Sequence, residues 1–248
     1  MPFMLMNFYT QLLGHALNAT PLWSPNLCSP IEQPITISID NTSVFVPGGS
    51  MPQNGFCRTE FIAQKYGNHT ALNAITDVGT TVFHIVWIEP NDGTHIFKIQ
   101  LGSPFTIPTG TVPVSDARFL KVCNHVLDLL FETPFTSHNW HNFTVQIDWT
   151  NLTLGIFHST NGEPLKAVTG LVENSSTSPG AAGQGDYHFG VLKLLLVDPN
   201  ETAAQQGDVV HFGIQEADTK ALTYSGVFIE GITGGVSAGC GKTITPVS

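Results

Sequence analysis

Short runs of β-favouring residues recur along most of this chain, and Gly, Pro, Asn and Asp separate them at intervals of roughly eight to fifteen residues. No segment between these runs has the apolar spacing of an amphipathic helix. Parallel strands need crossover connections that are usually helical, so the pattern favours antiparallel pairing. The sequence therefore predicts an all-β fold, an antiparallel β-sandwich. The clearest runs are Ile35–Ile39, Val44–Val46, Thr81–Ile88, Ile96–Leu101, Val126–Phe131, Phe143–Trp149, Leu152–Phe157, Tyr187–Leu196, Val209–Gln215 and Tyr224–Glu230.

The 248 residues are enough for one well-buried domain. We expect residues 31–248 to form it, and residues 1–30, which lack clear periodicity, to be a leader or an N-terminal arm. Hydrophobic residues make up 42% of the chain and charged residues 11%, which excludes a disordered chain and a coiled coil. The net charge is -10 without any basic cluster, and no apolar run is long enough to span a membrane. We expect a monomer that binds neither nucleic acid nor membrane.

Seven Asn-x-Ser/Thr sequons favour a secreted, glycosylated protein, since composition alone would supply about three. The alternative is that Thr-rich strands and Asn-rich turns create sequons by composition. The start of the chain is apolar but has no basic n-region, which fits a clipped or mis-started signal peptide better than a normal one. The sequons begin at Asn18, Asn41, Asn68, Asn142, Asn151, Asn174 and Asn200.

Four widely spaced cysteines, Cys28, Cys57, Cys123 and Cys240, allow three disulfide pairings and form no CxxC pair. The histidines likewise show no metal-ligand spacing, so we expect no metal and no cofactor. No G-x-S-x-G motif supports acyl-transfer chemistry. The histidines considered as ligands are His95, His125, His138, His141 and His211.

Polar residues alternate with apolar ones in the run Phe143–Trp149, so the polar set shares one face of the predicted strand. We expect that face to meet water or a ligand. In the run Thr81–Ile88, by contrast, Val82, His84 and Val86 share one face and apolar residues form the other. His84 therefore lies among apolar neighbours, where a hydrogen-bonded core histidine is the favoured interpretation.

Arg58 and Glu60 lie two residues apart, so in a strand they point to the same side, while Cys57, Thr59 and Phe61 point to the other. A carboxylate beside a guanidinium suits a base or an acceptor for sugar hydroxyls better than a general acid. The alternative is an ordinary ion pair.

Four sequence blocks stand in order along the chain: Asn54–Phe61, Trp140–Leu165, Asp186–Leu192 and Tyr224–Glu230. Together they resemble the fungal glycoside hydrolase family 131 β-glucanases. Asn54–Phe61 resembles the family's Arg-Arg-Thr-Glu-Leu strand, and Trp140–Leu165 resembles its long central hairpin. Asp186–Leu192 resembles its histidine-bearing strand, and Tyr224–Glu230 its final strand. The blocks follow the family order over residues 45–235.

The resemblance implies a β-jelly-roll with a concave groove that binds β-glucans with 1,3, 1,6 and 1,4 linkages. It also implies inversion of anomeric configuration by two glutamates with a histidine nearby, and inversion needs carboxyl groups about 6.5–9.5 Å apart. Glu60 matches the first glutamate and His188 matches the histidine. The position of the second glutamate is occupied by Gly102.

Gly102 has no side chain that can move a proton, and acid–base participation is typically worth about 10² to 10⁴ in rate. Residues 98–105 contain no acid, so a replacement would have to come from another segment. The nearest acids in sequence are Glu89, Asp92 and Asp116. Cys57 is a second departure, because the family typically has arginine there; a disulfide would make this change structural.

Two functions follow from this pattern. The first is β-glucan recognition with weak or absent hydrolysis, and the second is an active inverting β-glucanase that uses Glu60, His188 and a compensating acid. Both functions require residues that contact sugar along the groove. For each candidate, the alternative is a buried core aromatic residue or a solvated side chain on a strand face. The candidate sugar-binding residues are Arg58, Tyr187, His211, Gln215 and Glu230.

Overall fold

The structure, a computed structural model, describes residues 10–11, 35–46, 51–63, 80–83, 87–89, 94–101, 119–136, 139–177, 186–193, 197–214, 220–224, 229–238 and 242–248. These residues form many strands and two four-residue helices, α1 (Ala203–Gln206) and α2 (Val209–Phe212). The strands are β1 (Thr10–Gln11), β2 (Ile35–Ile39), β3 (Val44–Phe45), β4 (Gln53–Ala63), β5 (Thr80–Phe83), β6 (Trp87–Glu89), β7 (Phe97–Leu101), β8 (Phe119–Asn124), β9 (Leu129–Pro134), β10 (His141–Asp148), β11 (Thr153–Thr160), β12 (Lys166–Ala167), β13 (Val172–Glu173), β14 (Asp186–Lys193), β15 (Lys220–Tyr224), β16 (Ile229–Gly231), β17 (Val236–Ser237) and β18 (Thr243–Ile244).

All strand pairs in the described residues are antiparallel, which confirms the predicted pairing. The largest sheet has the order β12-β11-β10-β5-β16, with β13 also paired to β11. A second sheet has the order β3-β4-β14-β6, and the others are β1-β2-β15, β7-β8-β9 and β17-β18.

Two apolar clusters lie on opposite sides of the β10–β11 hairpin. Val145 and Ile156 face one another across the hairpin on one side, and Thr144 and Phe157 do so on the other, as strand alternation requires. The main core contains Ile37, Ile96, Phe97, Val122, Phe143, Val145, Ile147, Leu154, Ile156, Phe189 and Tyr224. The second cluster contains Phe157, Leu165, Ile232, Val236 and Ala238, with Ile244 and Val247 packed against it.

The polar face of β10 does not meet water or a ligand as expected. Thr144 and Gln146 are 0% and 3% exposed. The Gln146 side chain donates from Nε2 to the carbonyl of Val247 at 2.9 Å and accepts from the Val247 N–H at 2.8 Å. The polar and apolar residues of β10 alternate as predicted, but the Gln146 side chain bonds to another segment of the same chain instead of to a ligand.

The strand predicted from Val209 to Gln215 was wrong, because Val209–Phe212 forms α2. A capping box between Thr202 and Gln205 begins α1 just before it, a helix signal that the β-favouring composition of the next residues obscured. α2 packs against β4 at Gly55, where a Cβ would lie 1.9 Å from the Val209 carbonyl oxygen. Within the described ranges, no helix has the length and hydropathy needed to cross a membrane.

Cys57 and Cys123 are both buried thiols, so the disulfide considered for Cys57 is not formed. Burial raises the pKa of the Cys123 thiol, which keeps it protonated and unreactive. Cys28 and Cys240 lie outside the described residues.

Candidate functional site

The neighbouring strands β4 and β14 bring Glu60 and His188 together. Gly190 is the register partner of Glu60, and His188 lies two residues from Gly190 along β14. Residues opposite one another in an antiparallel pair point to the same side, so Arg58, Glu60 and His188 share one side of this sheet. Phe189 points to the other side and joins the main core. The strand expected around Glu60 is therefore confirmed, with Arg58 and Glu60 on one face.

Glu60 uses both carboxylate oxygens in this cluster. Its Oε1 forms an ion pair with Nε of Arg58, and its Oε2 lies 2.9 Å from Nδ1 of His188. The same Nδ1 lies 3.2 Å from Nη2 of Arg58. The three side chains therefore form one closed polar triangle.

His188 Nδ1 can serve only one of its two neighbours at a time. A guanidinium only donates hydrogen bonds and a carboxylate only accepts them. With its proton on Nδ1, His188 donates to Glu60; with its proton on the other ring nitrogen, it accepts from Arg58. The tautomer of His188 therefore decides whether Nδ1 hydrogen-bonds to Glu60 or to Arg58.

The triangle is enclosed but open to solvent at one edge. The side chains of His188, Glu60 and Arg58 are 3%, 8% and 15% exposed, so Arg58 lies closest to the surface. Its guanidinium carbon lies 5.3 Å from the centre of the Phe45 ring, a cation–π arrangement that holds the side chain over β3. A ligand would meet Arg58 first.

Gly190 and Tyr224 support the site from below. The Tyr224 hydroxyl donates to the Gly190 carbonyl at 2.5 Å, and its ring lies 5.8 Å from that of Phe189. Burial raises the pKa of Tyr224, so the hydroxyl stays protonated as a donor. The backbone opposite Glu60 is thereby fixed to the core.

Among the predicted site residues that the structure describes, it brings Arg58, Glu60 and His188 together. Tyr187 lies in β14 opposite Ile88, and its role as a sugar contact stays a prediction. Gln215 and Gly102 lie outside the described residues. His211 lies on α2 instead of in the predicted strand Val209–Gln215.

The polar contacts of His211 and Glu230 are local. Nδ1 of His211 lies 2.9 Å and 3.0 Å from the two carboxylate oxygens of Asp208. Glu230 accepts from the backbone N–H and the hydroxyl of Ser237 at 2.8 Å and 2.6 Å. These contacts stabilise the start of α2 and the turn after β16. In the described part of the chain, no three His, Cys, Asp or Glu side chains are placed to hold a metal ion.

Comparison with known proteins identifies the family of this chain. The family model described as "Glycoside hydrolase 131 catalytic N-terminal domain" matches residues 6–235. The chain belongs to glycoside hydrolase family 131. No curated protein matches the chain significantly.

Two solved family 131 structures from fungi match the chain. One is a GH131 β-glucanase catalytic domain from Podospora anserina, with 20% identity, a TM-score of 0.55, and coverage of 92% of this chain and 84% of that one. The other is the catalytic domain of the glycoside hydrolase family 131 protein from Coprinopsis cinerea, with 21% identity, a TM-score of 0.49, and coverage of 90% and 84%. The first likeness supports the β-jelly-roll expected from the sequence.

A histidine pair in the β10–β11 hairpin was not predicted from the sequence, where His141 was considered as a metal ligand. His141 Nδ1 lies 3.4 Å from Nε2 of His158, and the backbone N–H of Thr136 donates to Nε2 of His141 at 3.3 Å. His141 therefore carries its proton on Nδ1 and donates it to His158. The rings of Phe131 and Phe143 lie 5.3 Å and 4.8 Å from that of His158. Phe143 is the register partner of His158 across the hairpin.

This pair is expected to make the protein less stable in acid. Burial, and to a smaller extent the charge of His141, lowers the pKa of His158 from 6.5 to about 4. Its contribution to stability is complete above about pH 6.5 and is lost as the pH falls towards 4, because the unfolded chain binds the proton first. At about 1.4 kcal/mol per pKa unit, discounted because His158 is only half-buried, the loss is about 1–2 kcal/mol.

Urea unfolding at pH 7 and pH 4 measures this loss. A His158→Gln variant keeps a polar side chain without the titration, so its free energy of unfolding is expected to fall less between the two pH values. Equal losses in the parent and the variant would assign the acid sensitivity to other groups.

Proposed function

We propose that this family 131 chain binds β-glucan in a groove lined by Arg58, Glu60 and His188, and hydrolyses it weakly or not at all. The cluster supports binding because sugar hydroxyls both donate and accept hydrogen bonds. Arg58 offers donors at the most exposed edge, and Glu60 offers acceptor oxygens beside them. Charged partners make these hydrogen bonds stronger than neutral ones.

The proposal of weak hydrolysis rests on the glycine at position 102. Inverting hydrolysis needs a general acid and a general base on opposite sides of the scissile bond. Glu60, held between Arg58 and His188, supplies one carboxylate. Gly102 stands where the family resemblance calls for the other, and residues 98–105 contain no acid to replace it.

The register of β6 favours one alternative. Glu89, one of the three acids nearest in sequence, pairs with Asp186 in β14, and Trp87 pairs with His188. Glu89 therefore stands on the strand next to the histidine, which makes it the first candidate for a compensating acid. An active inverting glucanase would then use Glu60, His188 and Glu89, and Glu89→Gln would abolish its turnover.

Glucan affinity is expected to fall about 10- to 100-fold in Glu60→Gln, because a hydrogen bond to a charged group contributes about 1.5–3 kcal/mol. Calorimetric titration with β-1,3- and β-1,4-linked glucose oligosaccharides measures the change. Glu163→Gln, at an exposed carboxylate after β11, is the matched control and should bind like the parent. Failure of the parent to bind any of these sugars would rule out both proposed functions.

Turnover separates the two proposals. Reducing ends released from β-1,3- and β-1,4-glucans are measured for the parent and for Glu60→Ala. Little release from a parent that binds glucan supports recognition with weak hydrolysis. Rapid release that Glu60→Ala abolishes supports the active glucanase instead.

We further propose that the protein is secreted. The seven sequons support this location, as does the extracellular polysaccharide that the proposed function requires. Detection of the endogenous protein in the culture medium of its source cells, and its absence from their cytosol, tests the location.

A further inference from the structure

The sequons differ in what their asparagine side chains do in the fold. N-glycosylation replaces one hydrogen of the Asn Nδ2 with a sugar, so an acceptor must have a hydrogen that the fold does not use and open space beyond it. Five sequons lie in described residues, and this criterion divides them into buried asparagines and exposed asparagines. They begin at Asn41, Asn142, Asn151, Asn174 and Asn200.

The Asn142 side chain is buried and hydrogen-bonded within the protein. It is 6% exposed, and its Nδ2 donates to the hydroxyl of Ser159 at 3.1 Å and to the carbonyl of Asn161 at 2.9 Å. Both Nδ2 hydrogens are therefore used within the fold. A sugar on this nitrogen would remove one of the bonds and would have no path to solvent.

The Asn174 side chain is also buried and hydrogen-bonded within the protein. It is 3% exposed, its Nδ2 donates to the carbonyl of Ile96 at 2.9 Å, and its Oδ1 accepts from the His125 N–H at 3.0 Å. The side chain thereby joins the turn after β13 to β7 and to the β8–β9 connection. A glycan here would have to separate these segments.

The other three asparagines are exposed in turns. Asn151 lies between β10 and β11 and uses one Nδ2 hydrogen, donated to Asp148 at 2.8 Å. Asn200 uses one, donated to Asp198 at 3.0 Å. Asn41 lies in the turn between β2 and β3. A glycosylated amide keeps one N–H, so Asn151 and Asn200 can carry a sugar and keep these bonds.

We propose that Asn41, Asn151 and Asn200 carry N-linked oligosaccharides and that Asn142 and Asn174 do not. In the transfer, Nδ2 forms a bond to C1 of a lipid-pyrophosphate-linked oligosaccharide, the bond from C1 to the pyrophosphate oxygen breaks, and the amide loses one proton. The inference rests on the secretory route of the proposed function, but not on glucan binding.

Site occupancy is measured on the full chain, expressed in a eukaryotic host behind a secretion signal, so the result is independent of the natural route and of sugar binding. The folded secreted protein is treated with a glycan-releasing amidase in heavy-oxygen water, which converts each glycosylated Asn into a labelled Asp. Peptide mass spectrometry should find label at Asn41, Asn151 and Asn200. Label at Asn142 or Asn174, or its absence at any of the three exposed sites, overturns the assignment.

Two variants test the assignment without disturbing the buried amides. Asn151→Gln should lower the mass of the secreted protein by one glycan. Ser176→Ala removes the Asn174 sequon but leaves both Asn174 hydrogen bonds in place, so it should leave the mass of the glycans unchanged. Loss of a glycan in Ser176→Ala, or no loss in Asn151→Gln, contradicts the proposal.

Discussion

Gly102→Glu is expected to raise the rate of glucan hydrolysis by about 10²- to 10⁴-fold, the usual contribution of one acid or base group. The proposed defect is a single missing carboxylate, while Arg58 and His188 already hold Glu60 in place. A glutamate at position 102 would supply the second proton-transfer group that inversion requires. The release of reducing ends from β-1,3- and β-1,4-glucans measures the gain.

Two controls make this test specific. Gly102→Gln adds a side chain of the same size that cannot exchange a proton, so it should stay at the parent rate. Gly102→Glu combined with Glu60→Gln should also stay there, because one carboxylate is again missing. A Gly102→Glu protein that binds glucan but cleaves it no faster than Gly102→Gln would show that the missing acid is not the main defect.

The site was predictable where one strand carries it. Arg58 and Glu60 are two residues apart in β4, and the two-residue period of a strand places them together whatever the rest of the fold does. His188 is 128 residues from Glu60, so only the family resemblance joined it to them before the structure did. The closed triangle, in which His188 also contacts Arg58, depends on the register of β4 with β14, which no local pattern encodes.

The sequence predicted some strands of the fold and missed others. β2 has the predicted bounds, because Ile35–Ile39 alternates clearly and is flanked by breaks. β8 was missed because Lys121 and Asn124 interrupt its apolar pattern, yet Lys121 is 2% exposed in the folded protein. The cover over Gln146 comes from Val247, 101 residues away. Such long-range contacts override local propensity, and they account for what the sequence pattern did not predict at Gln146.

Gly190→Ala is expected to lower the free energy of unfolding by about 1–3 kcal/mol, the usual cost of overpacking. A Cβ at position 190 would lie 2.4 Å from the Glu60 Cβ and 2.4 Å from the Thr59 carbonyl oxygen, both too close for any side chain to relieve by rotation. β4 and β14 must therefore move apart at Glu60. The contact of Glu60 with His188 spans these strands, so we also expect glucan affinity to fall about tenfold or more.

Gly231→Ala is the matched control, because Gly231 also lies in a strand but a Cβ there would meet nothing within 4 Å. Its stability should stay within about 0.5 kcal/mol of the parent, since exposed positions away from special features tolerate substitution. Urea unfolding and calorimetric glucan titration are run on both variants at a temperature where both are folded. Equal stability and equal glucan affinity in Gly190→Ala and Gly231→Ala would contradict this prediction. They would show that β4 and β14 tolerate a side chain opposite Glu60, and that glucan binding does not depend on the spacing between Glu60 and His188.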